Sequence, residues 1–164
     1  GSNGHLGMEL LQEKEGLSAV HVPYAGVPAV LNAIVAGDIQ MAIVPIGNAL
    51  VQQQAGRLKT VGLTSTGPSP LAPGVPSLAE GGVKDFVIES WNAVMAPATT
   101  PPAVLATFGD AVRNLLRSDP MRQKLFAQGW QADGGPPEAL LRRVATDSAM
   151  YARIIQARGI RLEG

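Results

Sequence analysis

Apolar positions along the chain follow two rhythms, and the two alternate. Leu6, Leu10 and Leu11 share one face of a helical period while Glu9, Glu13, Lys14 and Glu15 take the other, which predicts a helix over His5–Glu15. Ser2 or Asn3 can cap its start, and Gly16 suits its end. Val30, Leu31, Ile34 and Val35 predict a second helix over Val27–Ala36, stopped by Gly37. Pro45 and Gly56 bracket a third over Ile46–Ala55. Between these lie three short apolar runs, Ser18–Val22, Ile39–Val44 and Leu58–Leu63, which predict strands. Alternating helices and strands with short connections imply an α/β fold, with a parallel or mixed sheet and helices on its faces. Ligands of such sheets bind beyond the carboxyl ends of the strands. The turns after Val22, Val44 and Leu63 are therefore expected on one rim.

Further along, Pro68, Pro70, Pro73 and Gly74 force a loop, and Pro76–Glu80 can make a short helix before Gly81 and Gly82. Phe86–Ala96 alternates in the manner of an extended segment. Three helices are expected after it. Pro101–Arg117 carries Val104, Leu105, Phe108, Val112, Leu115 and Leu116 on one face. Ser118–Gln128 turns Met121, Leu125 and Phe126 inward, and Pro136–Arg158 carries Leu140, Leu141, Val144, Tyr151, Ile154 and Ile155. The small sheet is a modest partner for so many apolar faces.

Composition narrows the class. The chain has 164 residues, 46% of them hydrophobic and 16% charged, which is the make-up of a globular domain. The net charge of zero argues against a nucleic-acid surface. Residues 1–100 hold 4 Lys/Arg against 7 Asp/Glu and residues 101–164 hold 9 against 6, a split of −3 and +3. Cysteine is absent, which removes disulfides, thiolate metal sites and Cys nucleophiles and suits a periplasmic or a cytosolic protein equally. No run of apolar residues is long enough to span a membrane, and no signal peptide is visible. The opening Gly1-Ser2-Asn3-Gly4 reads either as a processing scar or as a loop cut from a longer chain.

Little in the chain points to catalysis. His5 and His21 are the only histidines, and packing or capping is the expected role of each. No G-x-G-x-x-G, P-loop, H-E-x-x-H or G-x-S-x-G occurs. Asp38, Asp110, Asp119, Asp133 and Asp147 are scattered at loops and helix ends, and Glu80 reads as a solvated helix end. Trp91, between Ser90 and Asn92, suits a pocket wall or a core anchor. The stretch from His21 to Leu31 is the more informative one. Val20 and Val22 suit a strand, Pro23 ends it, Gly26 turns the backbone, and Pro28 fits the first turn of a helix. A helix N-terminus placed there suits an anion, although such turns are also common without one. Three readings stay open: a binding module for a small anion, a small α/β enzyme, and the ligand-sensing effector domain of a regulator. The regulator would need a helix-turn-helix, which the chain lacks.

Several segments, in order over nearly the whole length, resemble the tripartite tricarboxylate transporter substrate-binding receptors, the Bug or TctC family. His5-Leu6 with Glu9-Leu10 is similar to the helix after the family's ligand loop. Val22-Pro23-Tyr24-Ala25-Gly26 resembles its V-P-Y-K-G turn, and Gly37-Asp38-Ile39-Gln40-Met41 its G-x-V-D strand. Ala55-Gly56-Arg57-Leu58-Lys59 with Thr64-Ser65, Pro73 to Gly82, Ser90-Trp91-Asn92-Ala93 and Ala96 to Pro101 match further segments. The resemblance implies a periplasmic-binding-protein type II-like fold. Residues 1–90 would be the second α/β lobe. Residues 91–164 would be a crossover strand and C-terminal helices that complete the first lobe, with a secretion signal and most of that lobe lying upstream. It implies a periplasmic receptor that captures a small carboxylate for a membrane permease, with no cofactor, no nucleic acid and no chemistry on the ligand. The helices left uncovered are expected to pair two copies or fold onto the chain.

The implied ligand contacts are Ser2, Asn3 and Gly4 on the ligand loop, and Tyr24, Ala25, Gly26, Val27 and Pro28 in the turn. Val44, Pro45 and Ile46 open the next helix, and Trp91 and Asn92 lie on the crossing strand. The N–H groups of Ala25 to Val27 would receive the carboxylate. Ala25, Val27 and Gln40 stand where the family usually has Lys, Gly and Asp. This allows a bulkier or less charged ligand than a tricarboxylate.

Overall fold

The computed structural model describes residues 1–161. Six helices follow in order: α1 Asn3–Glu15, α2 Val27–Ala36, α3 Ile46–Gln54, α4 Pro102–Arg117, α5 Asp119–Ala127 and α6 Pro137–Arg158. Each expected long helix is present, with ends shifted by at most two residues. The chain divides into two compact units. One joins residues 1–90 to the described residues from Ala149 on, and the other is Trp91–Ser148.

In the first unit α1 is the central element. The Ser2 hydroxyl accepts the His5 N–H, and the Ser2 carbonyl accepts that of Leu6. At the other end Gly16 takes φ 62°, and both it and Leu17 donate to the Gln12 carbonyl. Leu6 and Leu10 are buried against Phe86, Ile88 and Ile154, with Leu11, Ile43, Leu78 and Met150 around them. The C-terminal end of α6 thus completes this core, and Ile154 is 0% exposed. Arg153 bonds Glu13 and Arg158 bonds Glu9 at the margin of the contact. Such partly exposed pairs are worth about 0–1 kcal/mol each, so the buried side chains dominate. A second cluster, Leu63, Ala72 and Val75, is covered by Ile46 and Leu50 of α3.

The expected strands do not form ladders. Among the described residues the only bridge is a parallel one between Leu63 and Ser77. The Leu63 N–H donates to the Pro76 carbonyl, and the Leu78 N–H donates to the Leu63 carbonyl, at 2.8 Å each. On its other side Thr64 accepts the Ile88 N–H at 3.0 Å, and its hydroxyl donates to the Ile88 carbonyl. Three extended segments therefore meet around Leu63–Thr64. Segments 18–22 and 39–44 take part in no bridge, and Val20 is 90% exposed and Val61 76%. In place of a ladder partner, glutamines of the preceding helices take donors near the start of two of these segments. Gln12 Oε1 accepts the Ala19 N–H at 2.7 Å, and Gln53 Oε1 accepts the Thr60 N–H at 2.8 Å. A helix closes its own hydrogen bonds, but a strand needs a second segment, and alternation identifies only one of the two.

The short helix expected at Pro76–Glu80 is a single turn. Glu80 Oε2 accepts the Ser77 N–H at 2.8 Å and its hydroxyl at 3.0 Å, while the Glu80 N–H donates back to Ser77 Oγ at 3.2 Å. This reciprocal pairing is a capping box, and Gly81 and Gly82 stop the turn before it becomes a helix. Glu80 is therefore a structural partner and not merely a solvated helix end. The two Ser77 hydrogen bonds hold its carboxyl below the ordinary glutamate range.

In the second unit α4 packs on α5, and Ser118 serves both: its hydroxyl donates to the Leu115 carbonyl, and its own carbonyl accepts the Arg122 N–H. Several side chains expected to turn inward are exposed, including Phe108 and Leu115 of α4, Phe126 of α5, and Leu141 and Val144 of α6. In the first unit Ile155 is likewise exposed. An apolar stripe is buried only where a facing layer exists, and a pair of short helices supplies little of one.

Two outcomes follow from this packing. Ile154→Ala should lower stability by about 2–5 kcal/mol, read by chemical denaturation, since it opens a cavity among five buried side chains. A loss under about 1 kcal/mol would mean that α6 does not close the core. The Glu80 contribution is fully present above the unfolded glutamate value of 4.5 and is lost as pH falls through the lower folded value. The melting temperature of the wild type should therefore drop relative to Glu80→Gln only below that range. A gap between the two that ignores pH would refute the charged capping box.

Candidate functional site

The approach of α1 to its neighbours assembles the candidate site in the first unit. Gly4 and Gly7 fall one turn apart on the helix. A Cβ on Gly4 would lie 2.5 Å from the Ile43 carbonyl oxygen, and one on Gly7 would lie 3.0 Å from Ile43 Cδ1 and 3.4 Å from Ile88. The helix therefore rests almost backbone to backbone on the 39–44 segment, just before Val44 and Pro45. Farther round α1, His5 stacks on His21 with ring centroids 3.6 Å apart and planes 5° from parallel. That contact sets the start of α1 beside the exit of segment 18–22. Asn3 Nδ2 also makes long bonds of 3.4 Å to the Glu89 carbonyl and Ser90 Oγ. Ser2, Asn3 and Gly4 are thus held near the ends of two segments that each run into a helix.

The turn from Tyr24 to Pro28 differs from expectation in one donor. Its Gly26 N–H is not free: it donates to the Tyr24 carbonyl at 2.9 Å. Gly26 has φ 86° and ψ 175°, a conformation that essentially only glycine adopts. A Cβ there would meet nothing closer than Pro28 Cδ at 3.9 Å, so the requirement is for backbone freedom and not for space. The first bond of α2 is from Val30 N–H to the Gly26 carbonyl. Among the described residues the N–H groups of Ala25, Val27 and Ala29 have no protein acceptor, so Ala29 replaces Gly26 in the expected set. Tyr24 and Val27 are half-buried, whereas Ala25, Gly26 and Pro28 are exposed.

At α3, Val44, Pro45 and Ile46 are all half-buried, and the Pro45 carbonyl accepts the Asn48 and Ala49 N–H groups. This leaves the Ile46 and Gly47 donors open among the described residues. Each helix start carries a partial positive charge from its aligned peptides. The nearby His5 imidazole adds little to that field at neutral pH. Partial burial, then the adjacent His21 and the N-terminal ammonium, lower the His5 pKa, outweighing the opposing effect of Glu9. Among the described residues no group of three His, Asp or Glu could hold a metal ion. The arrangement is suited to receiving an anion on backbone donors.

Trp91 and Asn92 belong to the second unit. Asn92 is exposed, and Trp91 is 42% exposed with its indole N–H donated to Asp147 at 2.8 Å. Trp91 is thus anchored through its nitrogen and open on its ring. The His5–His21 stack and the close approach at Gly4 were not anticipated. A glycine pair one turn apart in an otherwise good helix was the available signal.

Extended segments that each feed a helix start give the first unit an α/β arrangement. The chain belongs to the tripartite tricarboxylate transporter receptor family: the description "Tripartite tricarboxylate transporter family receptor" matches residues 1–160. It is 30% identical over 167 residues to protein BugT of Bordetella pertussis strain Tohama I, covering 99% of this chain and 50% of BugT. Its fold matches that of R. palustris Rpa4515 with adipate at a TM-score of 0.86 and 29% identity, covering 98% of this chain and 54% of that one. It also matches the periplasmic binding protein BugD at a TM-score of 0.79 and 23% identity, again over 98% of this chain and 54% of the other. The fold is therefore that of periplasmic binding proteins, and the chain spans about half the length of these three proteins.

Gly26→Ala should cost about 1–3 kcal/mol through backbone strain alone, because the added methyl has room. Gly4→Ala should also destabilise, by about 1–3 kcal/mol, through collision with the Ile43 carbonyl. Thermal or urea unfolding of the two variants checks both values. A neutral Gly4→Ala would show that α1 does not sit this close to the 39–44 segment.

Proposed function

We propose that this chain is part of an extracytoplasmic solute-binding receptor that captures a small carboxylate for a tripartite tricarboxylate-type transporter. The observation that carries the reading is the set of open N–H groups at Ala25, Val27 and Ala29, at the start of α2. A carboxylate supplies the charge and the acceptors that such donors lack. Family membership supports the receptor role, and the adipate in the R. palustris structure supports the ligand class. Ser2, Asn3, Gly4, Tyr24 to Pro28 and Val44 to Ile46 are the proposed contacts in the first unit, and Trp91 and Asn92 those in the second.

In this reading residues 1–90 are the second lobe, residues 91–164 supply the crossover and the helices that lead to the first, and the end of α6 packs back on the second. The exposed apolar faces of α4 and α5 would be covered by first-lobe residues in a complete receptor, or by a second copy of the chain alone. The receptor works in the periplasm and hands its ligand to a membrane permease. No bond of the ligand changes, since backbone donors and half-buried apolar side chains bind without reacting.

A thermal-shift screen of the complete receptor chain, with both lobes, against mono-, di- and tricarboxylates tests this. A ligand at a hundredfold its Kd should add about 2.7 kcal/mol of stability. One carboxylate giving that shift without turnover is the expected result. A screen with no shift for any carboxylate would overturn the reading.

A further inference from the structure

The indole of Trp91 has one hydrogen-bond donor, and the protein has already used it. The N–H donates to Asp147 Oδ2 at 2.8 Å, and Asp147 is 9% exposed. The carboxylate is itself fixed from one helical turn away: Arg143 Nε donates to Oδ1 at 2.9 Å and to Oδ2 at 2.8 Å. A charge-assisted acceptor held by a guanidinium is a rigid anchor for a ring with two rotatable bonds. Trp91 as a residue is nevertheless 42% exposed, while its indole N–H is held by the protein.

We infer that Asp147 is a positioning residue that makes Trp91 an apolar platform, and that the receptor therefore selects carboxylates with a hydrocarbon body over compact polar ones. This rests on the proposal that Trp91 contacts the ligand. A free indole N–H would reward a hydroxyl or a second carboxylate nearby. A ring whose nitrogen is occupied rewards only carbon.

The test uses two dicarboxylates that differ only in chain length, succinate and adipate, titrated into the complete receptor chain by calorimetry. Two additional methylenes on an apolar surface are worth about a tenfold preference. The wild type should favour adipate by that factor. In Asp147→Ala the ratio should fall to about threefold or less, and Asp147→Asn, which keeps an acceptor for the indole, should restore it. A merely structural role would weaken both ligands equally and leave the ratio alone. A second readout needs no ligand: with Trp130→Phe removing the other indole, acrylamide quenching of Trp91 should rise in Asp147→Ala and not in Asp147→Asn. Unchanged quenching would overturn the anchor. Raised quenching with an unchanged ratio, or a wild type that prefers succinate, would overturn the selectivity while leaving the carboxylate receptor intact. A wild type that binds neither acid, nor any carboxylate in the thermal screen, would overturn the receptor reading and this inference together.

Discussion

Everything in the first unit depends on how closely the α1 backbone can approach the 39–44 segment. Two glycines on one helical face allow that contact. With it made, Leu6 and Leu10 reach Phe86, Ile88 and Ile154, and the start of the helix arrives beside two chain segments that end at further helix starts. Without it the helix would stand off by the width of a side chain. The core would then open. Packing thus rests on one steric condition, which makes the small residues at positions 4 and 7 as consequential as the large ones at 6 and 10.

The helices were the most legible feature because their signals are local. Caps at Ser2, Gly16 and Gly37 and prolines at helix starts are decided within a few residues, and the structure uses them as expected. Extended segments were less legible. The residues of 18–22 and 58–63 suit strands, but their hydrogen bonds depend on what lies alongside, and helix glutamines take some of the donors instead. The apolar faces of α4 to α6 show the same limit: a stripe announces a need for burial without naming the partner that meets it.

The candidate site was half legible for a related reason. The turn at Gly26 could be recognised from Pro23, Gly26 and Pro28, because each has a conformational meaning of its own. Which donors remain open could not be read, since that depends on the Gly26 N–H folding back on Tyr24. Trp91 was equally ambiguous. Its partner, Asp147, lies 56 residues away and looked like any other scattered carboxylate. The structure makes Trp91 both anchored and exposed, two roles that the residue type alone sets against each other.

The glutamine contacts carry a consequence for association. An extended segment with unpaired backbone groups is a template on which another chain can add a strand. Gln12 and Gln53 occupy a donor near the start of two such segments and so hinder strand addition there. The middle of each segment, around Val20 and Val61, has no such guard and is highly exposed. These two helix side chains therefore act as stoppers near the ends of otherwise open edges.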